Sequence, residues 1–127
     1  MKKDCNTTSH LDTGKQAEDR AILFLEKKGL QLIQRNWRAA CGEIDAIMRD
    51  RDTTVFVEVR FRKNTLFGNG ADTVTRSKQN RLINTAMLFM QQDRKAARNP
   101  CRFDIISIDG NPQNGDIQWI PNAFEVS

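Results

Sequence analysis

No stretch of this chain stays apolar long enough to span a bilayer as a helix. Its opening residues, MKKDCNTTSHLDTG, carry two lysines with no apolar segment behind them. That order does not make a secretory signal, so the opening reads as a flexible tail over residues 1–12. Histidine occurs once, as His10, within that polar tail. The three cysteines, Cys5, Cys41 and Cys101, are odd in number and far apart, and no C-x-x-C exists. With one imidazole and no paired thiols, a zinc site is not expected. Reduced thiols in a cytoplasmic protein without a membrane partner are the expectation. The chain also lacks internal repeats, low-complexity tracts and any second domain.

What is there fits one compact core. The 127 residues are 28% charged and 39% apolar, an ordinary globular mix at single-domain length. One domain over 13–127 is expected. The formal charge of +4 is a modest bias toward polyanions. Its distribution says more: basic residues cluster at Arg60, Arg62 and Lys63, at Arg76, Lys78 and Arg81, and at Arg94, Lys95 and Arg98. Such residues lie on solvated faces by default, and together they could form a phosphate-binding rim.

Periodicity gives the elements. A first helix is expected from Thr13 to about Lys28, with Thr13 and Gln16 at capping-box spacing and Gly29 as the stop. Ala17, Ala21, Ile22, Phe24 and Leu25 form its apolar stripe, and Glu18 lies at the edge of that buried face. A carboxylate there needs a partner or a wet cavity. Leu30–Trp37 alternates as a strand. EIDAIM and TTVFVEVRFR form two more, joined at RDRD as an antiparallel hairpin. A glycine-containing loop follows, KNTLFGNGADTV, of a length that is more often functional than idle. A second helix is expected from about Thr75 to Arg94, with Gln79, Ile83, Ala86 and Met90 on its inner stripe and Leu82 and Phe89 beside it. CRFDIISID is a fourth strand, and the following GDIQWIPNAFEVS adds a short edge strand that packs Trp119 and Phe124. The order α-β-β-β-α-β implies an α/β layer with a mixed sheet flanked by helices.

The chemistry concentrates in the hairpin. Side chains alternate along a strand. Val55, Val57, Val59 and Phe61 therefore share one face, and Phe56, Glu58, Arg60 and Arg62 the other. Counting back from a turn at Arg51–Asp52 places Asp45 opposite Val57 or Glu58. Two neighbouring carboxylates repel and raise each other's pKa. A divalent cation such as Mg2+ or Mn2+, which binds one or two carboxylates plus water and phosphate, would offset this at Asp45 and Glu58. A cross-strand ion pair with arginine would offset it too, and spacing does not separate the two.

GEIDAI, VFVEVRFR, Phe67-Gly68, VTRSKQNRL and CRFDIISI, in that order, resemble the YraN-like family of uncharacterised bacterial proteins. The likeness covers about Gly14 to Asp109, and WIPNAF fits as well. More widely, the constellation is similar to the PD-(D/E)XK superfamily of restriction-endonuclease-like and Holliday junction resolvase-like nucleases. That resemblance implies a restriction-endonuclease-like α-β-β-β-α-β core. It implies catalytic residues at Glu18, Asp45, Glu58 and Arg60, with the metal on Asp45 and Glu58. It also implies action on DNA, branched or flapped by analogy with the resolvases, and a homodimer. One departure matters: Arg60 stands where the superfamily has lysine. Arginine keeps its proton, so Arg60 can clamp a phosphate but cannot serve as a general base.

Arg62, Lys63, Phe67, Arg76, Lys78 and Gln79 are the candidate nucleic-acid contacts. Lys78 is placed on the more exposed side of its helix, as a contact to backbone phosphate. Gln79 either touches substrate or fills a polar margin of the core. Asp104 is expected to pair structurally with an arginine, and Trp37 and Trp119 to pack. Three functions stay open on sequence: a metal-dependent endonuclease, a nucleic-acid-binding protein of nuclease fold, and an interaction module with structural acids.

Overall fold

The computed structural model describes residues 10–63 and 74–125, with side chains from residue 13 onward. Eight elements follow in order: α1 (His10–Lys27), β1 (Gln31–Ala39), β2 (Gly42–Asp50), β3 (Thr53–Arg62), α2 (Arg76–Gln92), α3 (Arg94–Arg98), β4 (Cys101–Asp109) and β5 (Asp116–Phe124). The five strands make one mixed sheet in the order β1-β2-β3-β4-β5. β3 and β4 pair in parallel and the other neighbours are antiparallel. A parallel pair needs a crossover, and α2 with α3 forms that connection.

The sheet is apolar on both faces, so each face needs a cover. α1 covers one with Ala17, Ala21, Ile22 and Leu25 against Ala46, Met48, Val55, Val57, Ile106 and Ile108, joined by Val59 and Phe61. α2 covers the other with Leu82, Ala86 and Phe89 against Ile44, Ile47, Phe56 and Phe103. The expected alternation of β3 therefore holds along its whole length. Phe56 anchors the α2 side, lying 5.3 Å from the Phe103 ring and 6.0 Å from Phe89.

Local chemistry sets most boundaries. Gly29 takes a φ of +100, where a Cβ is disfavoured, and stops α1 as expected. Thr75 caps α2, accepting from Lys78 N–H at 3.2 Å. Asp93 caps α3 by accepting from Ala96 N–H at 3.0 Å. Asp93 therefore divides what the sequence presents as one helix running to Arg94. The hairpin closes at Asp50–Thr53 around Arg51 and Asp52, as counted from sequence.

Three expectations need correction. α1 begins at His10 rather than Thr13, so residues 10–12 belong to the helix and not to a tail. Capping-box spacing recurs wherever Thr precedes Gln by three, and here it falls inside the first turns. Residues 1–9 lie outside the described residues. The edge strand β5 has nine residues and is not short. It is held by Asp104, whose carboxylate accepts from Trp119 Nε1 at 3.0 Å and Asn122 N–H at 2.9 Å. Finally, the buried stripe of α2 is Leu82, Thr85, Ala86 and Phe89, with Ile83 and Met90 only partly covered. The helix is thus rotated from the expected Gln79–Ile83–Ala86–Met90 stripe.

Candidate active site at the fork between two strands

Asp45 owes its position to a break in the sheet. Ala46 and Met48 face α1, while Ile47 and Ile44 face α2. Strict alternation would put Ile44 with Ala46, so the pleat fails at Asp45. The partner strand fails at the same place. Arg35 pairs with Ala46 and Trp37 with Ile44, but the intervening Asn36 takes a φ of +50 and leaves the ladder. On the other side, pairing between β2 and β3 ends at Ala46–Val57, one step before Asp45 would meet Glu58. β3 meanwhile continues on β4 as far as Arg62. A fork opens there, and the Asp45 side chain bridges it by accepting the Val59 N–H at 2.9 Å.

Two clefts meet at this fork. The one on the α2 side, about 370 Å³, is lined by Gly42, Glu43, Asp45, Glu58, Val59, Lys78, Arg81 and Leu82. The one on the α1 side, about 730 Å³, is lined by Asp45 and Val59 again, with Glu18, Phe61, Lys63, Asn111 and others. Asp45 and Val59 are common to both. Of these two clefts, Glu58 lines the α2-side one and Glu18 the α1-side one.

The electrostatics are those of crowded acids. Burial pushes the Asp45 carboxyl up to about 7, and the Glu58 charge adds to this. The Val59 amide opposes the rise, and Glu18 and Glu43 reinforce it. Glu58 is 7% exposed. It is ion-paired to a helix lysine: Lys78 Nζ lies 2.6 Å from Glu58 Oε2. Glu18 is tied to Arg35, Nη2 to Oε1 at 3.3 Å, on the far side of Asp45.

The other candidates distribute as follows. Arg60 sits one pleat beyond Glu58 on the same face of β3, opposite Ser107, and lines neither cleft. Arg62 is mostly covered, with its Nε 3.5 Å from Asp109 Oδ1. Lys63 is exposed at the α1-side cleft, and Arg76 is exposed at the start of α2. Gln79 donates from Nε2 to the Val74 carbonyl at 3.1 Å, which ties it to the helix entry. Phe67 lies outside the described residues. Asp104 takes its expected structural arginine, Arg102, whose Nε is 3.0 Å from Oδ1.

Sequence reasoning placed Lys78 and Arg81 on a basic rim and passed over Glu43; the structure puts all three in the α2-side cleft. The signal for the two cations lay in the helix period. Lys78 precedes Leu82 by four residues and Thr85 by seven, and Arg81 precedes Thr85 by four. Both extend the true buried stripe back by about one turn, to its cleft end.

Residues 17–108, which include Glu18, Asp45, Glu58 and Lys78, match the family described as "Uncharacterised protein family UPF0102". The chain belongs to the UPF0102 family. It is 44% identical over 117 residues to a UPF0102 protein of Pseudomonas fluorescens (strain Pf0-1), covering 92% of this chain and 96% of the relative. A UPF0102 protein of Stutzerimonas stutzeri (strain A1501) is 45% identical over 113 residues, covering 89% and 94%. One of Nitrosococcus oceani is 43% identical over 118 residues, covering 93% and 95%. The YraN-like resemblance read from the sequence is this family.

Proposed function

We propose that the fork is the active site of a Mg2+- or Mn2+-dependent endonuclease of PD-(D/E)XK type, acting on DNA in the cytoplasm. The observation that carries this reading is the placement of Asp45: a carboxylate at a strand fork, opening to two clefts and crowded by Glu58. Such a pair is unfavourable without a cation.

The donor chemistry fits a hard divalent ion. Among the described residues, no three His, Cys, Asp or Glu side chains come together as a metal-holding group. Magnesium needs no such protein cage, since it takes one or two carboxylates and fills its remaining positions with water and phosphate. Asp45 and Glu58 would be those two. An ion there would supply Lewis-acid polarisation of a phosphoryl oxygen and an activated water. The chain's own residues do the rest. Lys78 and Arg81 set two cations beside the three acids of the α2-side cleft, where they would meet a backbone phosphate once a metal ion offsets those acids. Arg60 extends that charge along the Glu58 face, and Lys63 and Arg76 lie further out as non-specific contacts. Glu18 adds a third acid from the α1 side. Branched or flapped DNA as substrate, and a homodimer as the working form, rest on likeness to the resolvases.

A second reading, a nucleic-acid-binding protein of nuclease fold that does not turn over, is favoured by one observation. Arg60 stands at the E-x-K position and cannot exchange a proton. One assay covers both readings: purified protein with Mn2+ and a panel of duplex, single-stranded, flapped and four-way DNA. Wild type is expected to cut at least one member. Asp45→Asn should lose that activity by about a hundredfold or more, as for loss of a transition-state charge stabiliser, while still retaining DNA in a gel shift. Retention without cutting, by wild type and by Arg60→Lys alike, selects the binding protein.

A further inference from the structure

A short ion pair in the cleft joins Glu58 to a residue on a different element. Lys78 Nζ, on the first turn of α2, stands 2.6 Å from Glu58 Oε2. The two ends of this pair have different surroundings. The Glu58 side chain is 8% exposed, whereas Lys78 keeps 36% of its side chain in solvent. The carboxylate is fixed by the sheet, and the ammonium sits on a flexible four-carbon stem reaching in from the rim.

We infer that Lys78 is a displaceable counter-ion: its ammonium offsets the Glu58 carboxylate in the metal-free protein, gives way to a divalent cation, and then turns to the substrate phosphate. This rests on the metal reading above and adds a competition to it.

The argument is one of charge and space. Asp45, Glu58 and Glu43 line one small cleft, and its only described cations are Lys78 and Arg81. Without a cation the acids would repel at close range in a partly desolvated site, where Coulomb energies are several times their value in water. Lys78 supplies that cation. An ammonium and a divalent ion held by the same carboxylate stand close together and repel, so each weakens the other. Displacement does not strand the lysine, because its side chain is already partly solvated and the same cleft would receive a phosphate. A lysine that served only as a phosphate contact or a surface pair would leave metal affinity unchanged when removed.

The test is Mn2+ affinity without nucleic acid, measured by calorimetric titration of wild type, Lys78→Met, Lys78→Arg and Asp45→Asn. Methionine keeps the unbranched shape and helix propensity of the side chain and removes its ammonium. Lys78→Met is expected to bind Mn2+ about tenfold or more tighter than wild type, as one competing unit charge at close range implies. Lys78→Arg, which retains the charge, should stay near wild type. With Mn2+ present, Lys78→Met should bind DNA more weakly than wild type, moving opposite to its metal affinity. Binding by Lys78→Met where wild type shows little would also support the competition. Equal or weaker Mn2+ binding by Lys78→Met, with binding still abolished in Asp45→Asn, overturns the counter-ion and leaves the metal site standing. Silence of wild type, Lys78→Met and Lys78→Arg alike overturns both.

Discussion

Without metal at pH 8, Asp45→Asn should be more stable than wild type. The cause is the carboxyl held near pH 7 in the folded chain against an ordinary aspartate value of 3.8. An acid whose folded pKa is raised stabilises the fold while both states are protonated. It loses that contribution as pH climbs from the unfolded value to the folded one. Below about pH 4, wild type and variant should therefore be alike in this respect. Their difference should grow through the window from 3.8 to about 7 and level off above it. At 1.36 kcal/mol per pKa unit the limit is about 4 kcal/mol, or on the order of 10 °C in Tm for a domain of this size. Asparagine keeps a carbonyl oxygen to accept the Val59 N–H, so the bridge across the fork survives. Thermal melts from pH 4 to 8 check this. A variant less stable than wild type at pH 8, or a gap independent of pH, would show that Asp45 is compensated in the folded chain.

Asp104→Ala should do the reverse, with a loss of about 3–5 kcal/mol in urea-induced unfolding, the usual cost of breaking a buried pair on one side. Asp104 is 1% exposed. It accepts from Arg102 Nε at 3.0 Å and Nη2 at 3.2 Å, and from the Trp119 indole and the Asn122 amide on β5. Alanine would leave all these donors without their acceptor and unpin the edge strand. Arg102 keeps one other partner, Asp50 Oδ2 at 3.1 Å, which limits the loss on that side. A loss below about 1 kcal/mol, the range of surface pairs, would mean that β5 is held by its ladder and by Phe124 stacking alone. The contrast between the two aspartates is physical. Asp104 is buried among donors and is structural, while Asp45 is crowded by acids and is expected to cost stability in the metal-free protein. Destabilising charge of that kind clusters at functional sites.

Much of this was legible from the chain. β3 and β4 match their sequence bounds to the residue: both are covered on two faces and read as short runs bounded by turn residues, within which side chains alternate faces. The facing of Glu58 and Arg60 followed from the same rule, as did the hairpin turn. Asp45 was placed next to Glu58 only within one residue. Its actual geometry depends on a pleat failure at Asn36 and Asp45, for which the one local hint was Asn36 itself, a residue type poor in strands and tolerant of positive φ. The rotation of α2 was missed because Gln79, Ile83 and Met90 form a plausible stripe of their own. The packing demands of Phe56 and Phe103 selected Leu82 and Phe89 instead. That rotation brings Lys78, and not Gln79, to Glu58. The separation of Glu18 from Glu58 onto two sides of Asp45 arises from the three-layer arrangement, which periodicity of single elements does not encode.

Calorimetric titration with Mn2+ at pH 8, where the Asp45 carboxyl is charged, tests the central claim most directly when wild type is run beside Asp45→Asn. The account predicts saturable binding by wild type, with a matching rise in Tm through mass action, and none by Asp45→Asn. Equal binding by the two proteins, or no uptake of Mn2+ by wild type and Lys78→Met alike, would contradict it.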